Sequence, residues 1–510
     1  MRTLWHLFQL FRLAAGLRRY GAIRALSSID LVPAWAPKLL RATTFYIPRK
    51  RNLPTSDGER LARALAAMGP AYIKLGQTLA TRPDLVGRPI ADGLTTLQDS
   101  LPPFPFKAAK EVIEAELGGI LTDHFQAFDE TPIAAASIAQ VHKAVTIAGK
   151  PVAVKVLRPD IAQRFTRDLS LFEWLAGKAE AKVREARRLR LGKVVDKIRE
   201  TVLREMDFRL EAAAAAELSE NMAGEAGYRL PGVEWDLTSK SVLTLEWVDG
   251  IRLVDRGALE AAGHDLAALG ERVVQVFLTQ ALRDGYFHAD LHQGNLLVQK
   301  DGTIVAVDFG IMGRLSKEER RFLAEILYGF IKRDYVRVAQ IHFDAGYVPK
   351  DQSLEEFAQA LRSIADPIMD LPVEEISAGQ LLAQLFATTA RFSMETQPQL
   401  LLLQRTMVMA EGMALHLNPK ANMWQISEPV IEAWIRANLS PEARLADAIN
   451  NLPRFIERLP ARLERWLMEE DQPKQDLRAD APEEKQASSR LYPFGFGLAI
   501  GALLVKMLTS

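Results

Sequence analysis

Between residues 288 and 310 the chain reads His288-Ala289-Asp290-Leu291-His292-Gln293-Gly294-Asn295, and Asp308-Phe309-Gly310 begins thirteen residues past Asn295. This set suits metal-assisted phosphoryl transfer, which is mostly positioning and charge neutralisation. Two oxygen ligands, Asn295 and Asp308, would converge on Mg²⁺. Beside them one carboxylate, Asp290, would accept a proton or orient the attacking group. His-x-Asp alone means little. Its combination with an Asn five positions after the Asp, and with Asp-Phe-Gly at this distance, confines the segment to the catalytic loop of a protein-kinase-like fold.

The rest of such a fold can be sought upstream. Residues 138–147 and 151–157 read as two strands joined by a short Gly-containing turn, so as a hairpin. The second strand carries Val152-Ala153-Val154-Lys155, a pattern whose Lys pairs with nucleotide α/β-phosphates. Read by itself it is a surface Lys on an edge strand; the catalytic loop downstream favours the nucleotide reading. Such a Lys needs a helix Glu. The stretch 193–222 is helix-prone, with a run of Ala, and offers Glu205, Asp207 and Glu211. On one continuous helix Asp207 and Glu211 share a face and Glu205 points elsewhere. Before the first strand a protein kinase carries a Gly-rich loop. Here Ala134-Ala135-Ala136-Ser137 stands there, so methyl groups replace the bare backbone that would approach phosphates.

In this order the motifs resemble the UbiB/ADCK family of atypical kinase-like proteins. Lys74-Leu75-Gly76-Gln77 matches its K-x-G-Q, Ala134 to Ser137 its Ala-rich loop, and Glu205-Met206-Asp207 its E-x-D. Glu211 stands where the lysine-pairing Glu would be, and Leu245 to Gly250 resembles the hinge that receives adenine through backbone groups, here Glu246 and Val248. The likeness runs from about residue 60 to about residue 420. It implies ATP or ADP with Mg²⁺ as cofactors and a role in ubiquinone (prenyl quinone) biosynthesis. The expected partners are membrane lipids, prenylated quinone precursors and quinone-biosynthesis enzymes. It also implies that Lys74 reaches Glu205, leaving Glu211 for Lys155, with Lys74, Gln77, Glu205 and Asp207 as regulatory residues. Leu291 and Gln293 depart from the family's prolines, and Ala214 from its frequent Asn.

The implied fold is α+β. It is a bilobal kinase-like fold with an N-terminal helical K-x-G-Q extension, a helical C-lobe and a C-terminal membrane tail. The expected divisions are a basic amphipathic segment (1–51), the extension (52–125), the N-lobe (126–247), the C-lobe with its own extension (248–468), a linker (469–490) and an apolar tail (491–510). Helical periodicity from about 316 to 466 is interrupted at Pro349, Pro367, Pro372 and Pro419, and Leu400 to Leu403 with Met407, Met409 and Met413 suggest a buried helix.

Charge is informative in its distribution. The formal net charge is +0, which removes the bulk electrostatic case for nucleic acid. The absence of cysteine excludes disulfides and thiol chemistry. Residues 1–51 hold ten Lys/Arg against one acid, Asp30, a difference of +9, with Trp5, Phe8 and Phe11 interleaved. That pattern reads either as a helix on an anionic membrane or as a helix packed on the body with a solvated basic face. The apolar run from Tyr492 to Leu508, broken by Lys506, is a marginal span. Within it Gly497 and Gly501 form a G-x-x-x-G, so a homodimer is worth testing. The location expected is the cytoplasmic face of a bacterial inner membrane, with the mitochondrial inner membrane as the alternative.

Three other readings compete with an ATP-hydrolysing kinase-like enzyme. One is a catalytically weak, nucleotide-gated lipid-binding pseudokinase or chaperone, which the Ala-rich loop favours. The second is a small-molecule phosphotransferase, against which Asp-Phe-Gly and K-x-G-Q speak. The third is a zinc hydrolase on His288 and His292, which lacks the H-E-x-x-H helix and its base.

Overall fold

In a computed structural model of the chain the described residues are 2–28, 36–80, 86–97, 102–182, 191–369, 388, 391–394 and 398–440. The linker at 469–490, the tail at 491–510 with Gly497 and Gly501, and the break at Pro372 lie outside them. The chain opens with α1 (Arg2–Arg19), a 3-10 turn (Ala22–Ser28), α2 (Ala36–Thr43), α3 (Asp57–Met68), α4 (Pro70–Ala80), α5 (Arg88–Leu94), α6 (Phe106–Leu117) and α7 (Leu121–His124). Four strands follow: β1 (Phe125–Phe128), β2 (Ala134–Ala135), β3 (Ala139–Thr146) and β4 (Pro151–Leu157). Next come α8 (Ile161–Lys182), α9 (Leu191–Glu205), α10 (Phe208–Asn221), β5 (Tyr228–Arg229), β6 (Val242–Glu246) and β7 (Ile251–Arg252). Then α11 (Arg256–Ala261) and α12 (Leu266–Thr279) lead into β8 (Tyr286–His288), β9 (Leu296–Val298), β10 (Ile304–Ala306) and β11 (Met312–Arg314). The described chain finishes in α13 (Lys317–Ile331), α14 (Tyr335–Asp344), α15 (Leu354–Met369), α16 (Pro398–Leu417) and α17 (Met423–Leu439). It is a mixed α+β, mostly helical chain, and no described helix is long and apolar enough to cross a membrane.

Contacts divide the described residues into two units, residues up to Ala212 with Gly232–Trp247, and Ala213–Pro231 with the described residues from Val248 onward. The first unit is built on a five-stranded antiparallel sheet of order β1-β3-β4-β6, with β2 on β3. The hairpin read from sequence is β3–β4, turned through Gly149 at φ 78°. Period-two alternation drives Val152, Val154 and Val156 of β4 into a core with Ile113 of α6, Phe125 and Val242. Lys155, between two of those valines, therefore faces the opposite side of the sheet.

The extension shares a larger core with α8 and α9, through Leu61, Leu65, Tyr72, Phe172 and Val195. Its helices approach unusually closely: a Cβ on Gly93 of α5 would lie 2.5 Å from Gly58 Cα of α3. The basic N-terminal helix joins this core through Leu10, Ala14 and Leu17, while Phe8 and Phe11 remain exposed.

In the second unit a four-stranded sheet runs β5-β10-β9-β7, and β8 pairs antiparallel with β11. Helices α12 and α16 pack at close range, since a Cβ on Gly270 would meet Ala414 Cα at 3.2 Å. Helix α13 starts with a reciprocal capping box, Ser316 with Glu319.

Three expectations need correction. The single helix over 193–222 is two, α9 and α10, broken at Met206–Asp207. Pro367 does not interrupt the helical run; it lies inside α15. Helix α16 is buried on one side only: Leu403, Thr406, Ala410 and Met413 are inside, while Val408 is about half exposed.

Asp168 of α8 is pushed up to about 6, chiefly by burial, against the lowering pull of Arg12, Arg167 and Arg164. A carboxyl whose folded value exceeds its unfolded one stabilises the fold below the unfolded value, and that contribution is lost as pH rises through about 6. Asp168→Asn should therefore stabilise the protein at pH 7.5 by about 1–3 kcal/mol, the gain vanishing near pH 4, in urea titrations run across pH.

Candidate functional site: a lysine–glutamate pair and a His-x-Asp loop

The helix break decides the lysine end of the site. Asp207 caps α10, its Oδ1 accepting the Arg209 N–H at 3.2 Å, and Arg209 also grips both carboxylate oxygens, at 2.8 and 2.6 Å. The Asp207 carboxyl is held below its usual range, first by that side-chain bond. The Phe208 N–H leaves the helical pattern for the carbonyl of Lys240 at 3.0 Å. Glu205 thus ends one helix and Glu211 sits in the first turn of the next.

Lys155 Nζ lies 2.7 Å from Glu211 Oε1, with the two side chains 20% and 9% exposed. The ammonium also stands 5.4 Å from the ring centroid of Phe208. Lys74 Nζ of α4 lies 3.1 Å from Glu205 Oε2, again half-buried. Gln77 is on the same helix, and between them Gly76 has no room for a side chain, since a Cβ would fall 2.2 Å from Leu97 Cδ1. The two acidic residues serve two lysines because they are on different helices, not on two faces of one.

The Ala-rich segment is a pinned turn. Ala134 and Ala135 form β2, in register with Val141 and Gln140, and the Ala136 N–H donates to the Ala139 carbonyl at 2.7 Å. Ser137 is buried. Arg158, which follows β4, donates through Nη2 to the carbonyls of Pro102 (2.8 Å) and Ala136 (3.3 Å). It thereby ties the turn to the end of the K-x-G-Q extension. Nothing in the local sequence marks Arg158 for this work. At the end of β6 the Glu246 N–H is spent on the Gly232 carbonyl, at 2.8 Å. Val248 is half-buried, and its backbone makes no hydrogen bond among the described residues.

In the second unit the catalytic loop links β8 to β9, and Asp-Phe-Gly follows β10. Pairing of Leu296 with Ala306 sets Asn295 opposite Val307, whose N–H donates to the Asn295 carbonyl at 2.8 Å. Asn295 and Asp308 are therefore neighbours across two strand ends. Asn295 uses Nδ2 on the Asp290 carbonyl, at 3.3 Å, so its oxygen Oδ1 is the atom suited to a hard cation. Asp308 has a left-handed backbone, φ 73°, a conformation that non-glycine residues adopt sparingly.

His288 joins the two loops from beneath. It is fully buried, its backbone N–H donates to Gln280 Oε1, and its Nδ1 accepts the Asp290 N–H at 3.2 Å. Its Nε2–H donates to the Asp308 carbonyl at 2.7 Å. Burial lowers its pKa, so the ring is neutral with the proton on Nε2. Both ring nitrogens are engaged, which leaves none for a metal. Among the described residues no group of three or more His, Asp or Glu gathers as a metal cage. The zinc-hydrolase reading therefore has no support in the geometry. A hard cation held by Asn295 Oδ1 and the Asp308 carboxylate fits the donor set.

One further residue was invisible in the sequence. Arg405 of α16 donates through Nη2 to Asp290 Oδ1 at 3.0 Å. It lies 115 residues from Asp290, in a stretch whose visible signal was apolar. The helix that carries it packs on α12 at the Gly270–Ala414 contact.

A hairpin lysine held by a helix glutamate, on a chain whose His-x-Asp and Asp-Phe-Gly loops share a buried histidine, is the plan of a protein-kinase-like fold. Alanines where glycines would cradle phosphate make it an atypical one. Residues 96–342 match the ABC1 atypical kinase-like domain, and residues 361–422 the UbiB helical domain. The chain is 39% identical to a probable protein kinase UbiB of Azotobacter vinelandii, covering 98% of this chain and 93% of that one. It is 42% identical to a probable protein kinase UbiB of Aliivibrio fischeri, over 84% of this chain and 81% of the relative. A solved complex of Rv3197 with erythromycin from Mycobacterium tuberculosis superposes with a TM-score of 0.53 at 25% identity, covering 72% of this chain and 93% of that one. The chain belongs to the UbiB family of atypical kinases.

Breaking a mostly buried ion pair strands the remaining charge. Lys155→Met and Glu211→Met should each destabilise the protein by about 2–3 kcal/mol. The double variant should lose less than the sum of the two, by about 1–2 kcal/mol, in urea denaturation of all four proteins.

Proposed function

We propose that this protein binds Mg-ATP or Mg-ADP, turns ATP over, and supports ubiquinone (prenyl quinone) biosynthesis at a membrane, acting on lipid precursors or on the enzymes that modify them. The observation that supports the nucleotide half is the Val307–Asn295 backbone bond, which pairs Asn295 with the residue just before Asp308. Membership of the UbiB family supports the quinone half. The proposed location is the cytoplasmic face of a bacterial inner membrane; that the relatives are bacterial speaks for a bacterial membrane over a mitochondrial one.

Each residue has a task in this reading. Asp290 orients the attacking hydroxyl or water and takes its proton. Lys155, kept extended by Glu211, meets the nucleotide phosphates. The Ala134–Ser137 turn covers them with methyl groups, which keeps the backbone further off than glycines would. The backbone at Glu246, through its carbonyl, and at Val248 receives the adenine. Asn295 Oδ1 and the Asp308 carboxylate would hold Mg²⁺, which when bound supplies neutralisation of phosphate charge. Lys74 and Glu205 hold the extension against the lysine end, and together with Gln77 and Asp207 they regulate access to it.

A second reading is a nucleotide-gated lipid-binding pseudokinase. The Arg405–Asp290 ion pair favours it, because a carboxylate occupied by a guanidinium is a poorer base. Arg405→Ala discriminates between the two. An enzyme restrained by this contact should hydrolyse ATP several-fold faster once it is removed, measured as phosphate release; a pseudokinase should stay at background.

The cellular test is a quinone profile by mass spectrometry in cells lacking the gene, complemented with wild type or Asp308→Asn. Wild type should restore ubiquinone, and the variant should leave early prenylated precursors. Restoration by both would favour the pseudokinase, and unchanged quinones on deletion would remove the quinone role.

A further inference from the structure

We propose that the outer face of α1, together with residues 45–50 beside it, docks on an anionic phospholipid bilayer, and that a cavity in this face takes a lipid phosphate headgroup. The inference deepens the proposed function and rests on its membrane association. What it adds is the surface and the residues that make it.

At about 100° per residue, Phe8, Phe11, Arg12, Ala15 and Arg19 fall within an arc of about 100° on α1. The opposite stripe, Leu10, Ala14 and Leu17, is the buried one. The helix has thus satisfied its core with one face and still shows water two phenylalanines, 59% and 43% exposed. The Phe11 ring stacks on Tyr46 at 6.5 Å between centroids, and Tyr46 meets Phe45 edge-on at 5.8 Å. Phe45 is 72% exposed, and among the described residues these four are the exposed Phe and Tyr side chains. Their gathering at one place is not scatter, which would need no explanation.

Among the described residues the same face carries more cations than acids. Arg12, Arg19 and Lys50 line a cavity of about 420 Å³, together with Met68 and Tyr20. The Lys50 ammonium donates to the Tyr20 hydroxyl at 2.7 Å. Asp168 is the acid of the lining among the described residues, one carboxyl against Arg12, Arg19 and Lys50. Nearby, the Arg49 guanidinium is weakened by burial and by Arg18, Arg41 and Arg60 around it. The Arg18 Nε is buried with no hydrogen-bond partner. Cations crowded in this way are relieved by an anion, and a phosphate group matches their donors.

The aromatics select the source of that phosphate. A soluble phosphate compound gives exposed Phe and Tyr nothing to enter. A bilayer surface offers headgroup phosphates at the level of the cations and an acyl boundary just beneath for the rings. The chain's zero net charge makes this local excess specific to one face.

The chain has no cysteine, so one introduced thiol places one label. Phe45→Cys carrying an environment-sensitive fluorophore is read in the full chain with vesicles of phosphatidylcholine alone or with 30% phosphatidylglycerol, roughly a bacterial proportion of anionic lipid. Ile133→Cys, exposed at 50% in the sheet region, is the control. The label at 45 should shift to the blue with the anionic vesicles, and the label at 133 should not. Arg12→Glu with Arg19→Glu should weaken that response at least about tenfold, and Phe8→Ser should weaken it with the charges intact. Flotation of the same samples reports membrane association separately. Flotation without a shift at 45 overturns this surface and leaves the membrane reading standing. Absence of flotation removes both. A shift on neutral vesicles that charge reversal does not alter overturns the phosphate cavity. Inorganic phosphate protecting this face while vesicles do not bind would assign the cavity to a soluble ligand and overturn the docking.

Discussion

The lysine end of this protein depends on the chain leaving helical geometry at Met206–Asp207. Asp207 caps the second helix, and the Phe208 amide bonds to Lys240 near the sheet. With that break, Glu205 belongs to a helix facing α4 and Glu211 to a helix facing β4. Each carboxylate then meets its own lysine in a half-buried setting. An unbroken helix would place the two glutamates six residues, or about 600°, apart, so one rigid body would have to satisfy both lysines. The break separates the two demands, and it also supplies the buried Phe208 ring against which the Lys155 ammonium rests.

The loop end is organised by a different economy. His288 is buried and neutral and makes three hydrogen bonds, to Gln280, Asp290 and Asp308. A histidine in this position holds two loops with one ring, without adding a charge near the carboxylates. Asp308 is kept in a left-handed backbone, and the His288–carbonyl bond is one of the contacts that hold it there. Arg405 adds a charge at Asp290 from a helix that the Gly270–Ala414 approach fixes. The helical region matched as the UbiB helical domain thereby reaches the Asp290 carboxylate of the His-x-Asp loop.

The hairpin, the strand position of Lys155 and the loops at Asp290 and Asp308 were legible because they are local. Period-two alternation, a Gly turn and short motifs of fixed spacing do not depend on remote partners. The helix break was missed because neither Gly nor Pro marks it. The available signal was an N-capping Asp ahead of a helical run, which the surrounding alanines obscured. The glycines at 58, 76 and 93 read as unfavourable residues in helices; only packing shows that each one is a point of near contact. Arg158 and Arg405 carried no sequence signal, because their partners lie 22 to 115 residues away.

What the sequence by itself determined is the motif set of an atypical kinase-like chain. The residue types at Asp290, Asn295, Asp308 and Lys155, and their spacings, follow from covalent order and carry the phosphate-directed chemistry proposed for it. The family also follows from the chain alone, through its motifs and its relatives. Which glutamate each lysine meets, which tautomer His288 adopts, and that an arginine from α16 sits on Asp290 were decided by the tertiary structure. So was the fate of the N-terminal helix, half of it core and half an exposed aromatic and cationic face. The physical reason is common to all four: ion pairs, tautomers and burial are set by distance and desolvation, and both exist only once the chain has folded.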